Sequence, residues 1–93
     1  MAVRPTPYAL LCDSRLPASG RLVYAYLWAR GYGEEWLPLS VRGVARTMHL
    51  SEATVLRAFR RLEETGWLRR RNKSERRWEG WLPNTPLPPT EKD

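Results

Sequence analysis

The apolar positions of this chain fall into three helical patterns followed by a hairpin pattern. From Ala18 to about Arg30, the stretch LVYAYLWA is apolar nearly all round, which predicts a central buried helix. Leu16-Pro17 opens it, since a proline in a first turn lacks only an N–H that would have no helical partner. Gly31 and Gly33 stop it, and Gly20 weakens it by about 1 kcal/mol relative to Ala. Val41, Val44, Ala45 and Met48 then recur at i, i+3, i+4 and i+7, one face of a short helix entered from Ser40. Gly43 makes that helix weak alone, so packing has to hold it. A third stripe, Val55, Ala58 with Phe59, and Leu62, leaves Arg57, Arg60, Arg61 and Glu64 mostly off the apolar face. Ser51 stands where an N-cap belongs. Thr54 replaces the Glu or Gln of a capping box, and Gly66 supplies a left-handed stop.

The remaining segments are shorter. Glu34-Glu35 read as a loop and Trp36-Leu37-Pro38-Leu39 as a very short extended piece. After Gly66, two flanks bearing Trp67 on one side and Trp78 and Trp81 on the other enclose a turn-rich centre, predicting a two-stranded hairpin with a basic tip. Tyr8 to Cys12 form a short strand or a turn of helix against the core. Residues 1–15 are read as an N-terminal arm or extension, 16–82 as the folded domain and 83–93 as an extended Pro-rich tail. The chain has no internal repeat. The predicted class is α+β, mostly α.

Ninety-three residues bound this to one small domain. The lone Cys12 excludes an intrachain disulfide and a multi-cysteine metal site, and is compatible with a reducing cytosol. The lone His49 lacks a partner at ligand spacing, so no metal or other cofactor is expected. No segment approaches a membrane span, and the N-terminus lacks a secretory apolar stretch; the expected location is cytoplasmic. With no carboxylate pair, second histidine or phosphate-cradling glycine motif, an enzyme is not expected. Charge is concentrated. Arg57, Arg60, Arg61, Arg69, Arg70, Arg71, Lys73, Arg76 and Arg77 against Glu63, Glu64 and Glu75 give residues 57–77 a net charge of +6, that of the whole chain. A focused basic region in a small domain is the footprint of a polyanion binder.

Three helices, a tight Met48-His49-Leu50 link and a hairpin make the order of a winged helix-turn-helix. The segment LSVRGVARTMHLSEATVLRAFRRLEETGWLRR resembles the DNA-binding part of GntR-like and MarR-like repressors at Ala45, Leu50, Ser51, Thr54-Val55, Leu62-Glu63 and Gly66-Trp67-Leu68. The upstream DSRLPASGRLVYAYLWARG is similar to the first helix of helix-turn-helix domains in plasmid and phage replication proteins. The resemblance implies a three-helix winged fold with a C-terminal β-hairpin wing. It further implies sequence-specific binding of double-stranded DNA by a repressor-like regulator of bacterial, phage or plasmid type. Two positions depart from the pattern: His49 stands where glycine is usual, and Leu56 where a polar base reader often stands.

In that frame the helix at about 52–65 enters the major groove. Its readers and phosphate ligands are Ser51, Glu52, Ala53, Thr54, Arg57, Arg60 and Arg61, with Arg57 the candidate for guanine and Ser51, Thr54 and Arg61 for phosphates. The wing residues Arg69, Arg70, Arg71, Lys73, Arg76 and Arg77 are expected on phosphates or in the flanking minor groove. Strand alternation divides them, Arg69 and Arg71 to one face and Arg70 to the other. Arg4 is a candidate minor-groove arm. Most such proteins act as homodimers, with Trp78, Trp81 or the N-terminal segment as the candidate dimer surface, and no small-molecule effector is expected. Other readings stay open: a plasmid replication or segregation factor, a winged module that binds protein instead of DNA, or an RNA binder.

Overall fold

The computed structural model describes residues 8–74 and 77–83 of the chain. Arg4, Arg76, the side chain of Lys73 and the Pro-rich segment from residue 84 lie outside the described residues. The elements run α1 (Tyr8–Leu11), α2 (Ala18–Ala29), β1 (Leu37–Pro38), α3 (Val41–Met48), α4 (Glu52–Glu64), β2 (Arg69–Ser74) and β3 (Arg77–Trp81). This is a winged helix: α3 and α4 form the helix-turn-helix, and β1 before it joins β2 and β3 after it in a small antiparallel sheet.

Pro17 caps α2 with extended backbone, and its carbonyl accepts the amides of Gly20 and Arg21 at 3.0 and 3.2 Å. The helix buries one side only, through Val23, Tyr24, Leu27 and Trp28, while Leu22 is 58% exposed. The all-round burial expected from LVYAYLWA is thus corrected, because α4 covers one side of α2 and no described element covers Leu22. Upstream, the segment expected as an arm or extension gives Leu10 of α1 to the core, fully buried.

Val55, Ala58, Phe59 and Leu62 of α4 are completely buried and join Val44 and Ala45 of α3 in the same core. Ala45 suits the close approach of α3 to α4. A Leu there would overpack it, at about 1–3 kcal/mol. Tyr24 stacks on Trp28 at 5.6 Å and meets Trp67 edge-on at 6.1 Å, so two of the five tryptophans are core. Gly66, at φ 86°, turns the chain out of α4, and the Leu62 carbonyl accepts from Trp67 and Leu68 at 2.8 and 3.2 Å.

The hairpin acquires a third strand. The sheet order is β1-β3-β2, with Leu37 opposite Gly80 and Arg70 also opposite Gly80 from the other side. Pro38 is acceptable because β1 is an edge strand, where a missing N–H breaks no ladder bond. The Leu39 amide then donates to the Trp78 carbonyl at 2.9 Å, tying the helix-turn-helix entry to the wing.

His49 ends α3 with φ 58° and ψ 42°, the left-handed region. This conformation costs a residue with a Cβ roughly 1–2 kcal/mol. His49→Gly is therefore expected to be neutral or to stabilise by up to about 1 kcal/mol, and His49→Val to destabilise, read from urea midpoints. A clear loss on His49→Gly would show that the imidazole itself holds the turn.

Candidate nucleic-acid interface

The interface starts at the cap of α4. Ser51 Oγ accepts from the Thr54 amide at 3.0 Å and donates to Thr54 Oγ1 at 2.8 Å. Thr54 Oγ1 thus binds the hydroxyl of the cap, whereas the acid of a capping box would accept from the cap's backbone amide. The cap fixes the first turn of α4, at the positive end of its dipole, where Ser51, Glu52 and Ala53 are exposed.

At 100° per residue, Ala53, Arg57, Arg60 and Glu64 lie opposite the buried stripe of α4, and all four are exposed. Arg57 and Arg60 have no carboxylate within ion-pair distance among the described residues. Arg61 lies to one side, its Nη1 3.2 Å from Glu64 Oε1. Arg57, Arg60, Arg61 and Glu64 line an open groove whose other wall is Pro17 and Ser19 at the start of α2. The opposite flank of α4 carries the half-buried Leu56 and Glu63, and faces the wing.

Other predicted site residues have intramolecular partners. Glu52 faces Arg42 of α3 at 3.7 Å, both exposed. In the wing the alternation is as expected. Arg70 turns toward α4 and donates to Glu63 Oε2 at 2.8 Å. Arg71, on the other face, donates to Glu79 Oε1 at 2.8 Å and lies 4.3 Å from the Trp36 ring centroid. Trp36 and Trp81 pack at 5.9 Å on that same face. Arg77 is exposed at the start of β3.

Two further groups shape this surface and were not legible as site residues. Arg42 and Arg46 stand one turn apart on α3, both exposed; their i, i+4 spacing off the apolar face was the available signal. Asp13, after α1, accepts from the Trp67 indole N–H at 2.9 Å and from Arg15 at 2.6 Å. The hydrogen bonds from Arg15 hold its carboxyl well below the usual carboxylate range; partial burial opposes them, and the Trp67 indole adds to them. Nothing in the local sequence signals a partner 54 residues away.

A family model described as a helix-turn-helix domain matches residues 14–68, more than half of the chain. The chain belongs to the helix-turn-helix domain family. The matched span of this helix-turn-helix domain ends one residue before β2, so the wing is established by the structure. No curated protein and no solved structure matches the chain. Helix-turn-helix membership points to DNA binding, and such domains are typically not enzymes. Among the described residues no helix is long and apolar enough to cross a membrane.

Proposed function

We propose that this helix-turn-helix domain is a sequence-specific regulator of double-stranded DNA, repressor-like, that reads the major groove with α4. The observation that carries the proposal is the outer face of α4. Arg57 and Arg60 project from it beside Ala53, opposite a completely buried stripe and without carboxylate partners among the described residues. Structural arginines are normally paired or stacked, as Arg70 and Arg71 are here. An exposed pair on the recognition helix is placed instead for guanine edges and phosphates. Ser51 and Thr54 bring the positive end of α4 to a phosphate. Lys73, Arg76 and Arg77 are assigned to the flanking backbone. Two copies on half-sites about one helical turn apart complete the arrangement. A plasmid or phage replication or segregation factor would use the same interface.

Selection of the full chain against a random duplex library at near-physiological salt tests this reading. The expected product is a palindromic motif of two short half-sites. A single, non-repeated motif would remove the dimer, and no enrichment of any sequence would remove DNA reading itself.

A further inference from the structure

Arg70, within the run RRRNKSERR, is held by groups of both the recognition helix and the wing. One edge is on Glu63 at 2.8 Å, and the guanidinium carbon lies 5.0 Å from the Trp78 ring centroid and 5.8 Å from that of Phe59. The side chain is only 18% exposed, against 53% for Arg71. A planar cation that bonds a carboxylate and lies near two aromatic rings is held in place by all three. Turning away to a phosphate would break the Glu63 bond.

The partners belong to two different bodies. Phe59 and Glu63 are on α4, whose other face is the proposed reader. Arg70 and Trp78 are on adjacent strands of the wing. Between α4 and β2 the chain runs only through Thr65, Gly66, Trp67 and Leu68, with Gly66 in a left-handed conformation. The Arg70 cluster is therefore a brace across the angle between recognition helix and wing, closed by a charge on each side.

We propose that Arg70 and Glu63 determine sequence specificity without touching DNA, by fixing where the wing sits relative to α4. The inference rests on the DNA-reading function proposed above. On a preferred duplex, base contacts by α4 and phosphate contacts by the wing have to be made in one register. On an arbitrary duplex, binding is dominated by phosphate charge and tolerates a displaced wing. Loss of the brace thus falls on the preferred site.

The test compares Glu63→Gln, Arg70→Gln and the double variant on the selected duplex and on a random-sequence duplex of equal length, across a salt series, with thermal melts to confirm folding. Each single variant is expected to narrow the ratio of preferred to random affinity about tenfold. The double variant should be no worse than either, because the two groups act as one unit. The slope of log affinity against log salt should stay unchanged, whereas Arg77→Ala should reduce it by about 0.9. The sign of the Glu63 effect is decisive. If Arg70 were a phosphate ligand, removing a neighbouring acid would strengthen binding to both duplexes, and Arg70→Gln would lower the slope; that pattern overturns the brace, as does an unchanged ratio. Should Arg70→Gln fail to fold, Arg70→Lys keeps the charge but loses the planar stack. A narrowed ratio at constant slope supports the brace there too, and an unchanged ratio overturns it. A wild type that enriches no sequence removes the DNA reading and this proposal together, whereas a selective wild type with indifferent variants removes this proposal alone.

Discussion

Arg57→Ala is expected to leave the fold intact and to cut sequence discrimination about ten- to a hundredfold. The magnitude is that of one bidentate arginine–guanine contact, about 1–3 kcal/mol. Folding is spared because Arg57 is exposed, opposite Val55, Ala58, Phe59 and Leu62, and makes no ion pair among the described residues. Ala is also the better helix former, so α4 loses nothing in propensity. The measurement is competition of the selected duplex against single-position variants. One half-site position should become permissive while the others keep their order. A uniform loss at every position, with a shallower salt dependence, would move Arg57 from base reading to phosphate contact.

The largest stability effect is expected at Trp67. It is 1% exposed, meets Tyr24 edge-on and carries a hydrogen bond to Asp13 at the point where α4 gives way to the wing. Trp67→Ala should cost about 3–5 kcal/mol. That is a large part of the roughly 5–15 kcal/mol that holds a typical domain, so partial unfolding near body temperature is expected. Trp67→Phe keeps most of the buried ring and removes only the indole donor, so its cost should be smaller.

The acceptor gives this site a pH signature. The Asp13 carboxyl is held below its ordinary value, chiefly by Arg15 and then by the Trp67 indole. A depressed carboxylate stabilises the fold at pH values above its unfolded pKa of about 3.9. The contribution is lost as pH falls through the lower folded value. Asp13→Asn should therefore be less stable than wild type in urea at pH 7, with the gap narrowing steadily as the pH falls below about 4. A gap of constant size across that range would mean that the aspartate acts through its shape and not its charge.

Much of the helix-turn-helix was legible because its signals are local. Ser40 and Ser51 cap the helices that follow them, His49 takes the left-handed turn, and Gly66 ends α4. Each of these follows from the conformational chemistry of one residue and its nearest neighbours. The stripe Val55, Ala58, Phe59, Leu62 follows from helical period alone, and so does the opposite face with Arg57 and Arg60. Pairing of β1 with β3 was not legible, because two residues of strand carry no pattern and their partner lies some 40 positions along the chain. The one-sided burial of α2 was hidden for a related reason. An apolar helix does not state how many of its sides other elements will cover.

The charged run 69–77 separates the two kinds of information. By itself the sequence determined that a dense positive charge follows the recognition helix, and that strand alternation sends Arg70 away from Arg69 and Arg71. Only the tertiary structure decided that Glu63, Phe59 and Trp78 meet at Arg70, and that Glu79 and Trp36 meet at Arg71. Charge is additive along a sequence and can be counted there. Whether a given cation is available to a phosphate depends on which acids and rings the fold brings within a few ångströms, and those come from different elements.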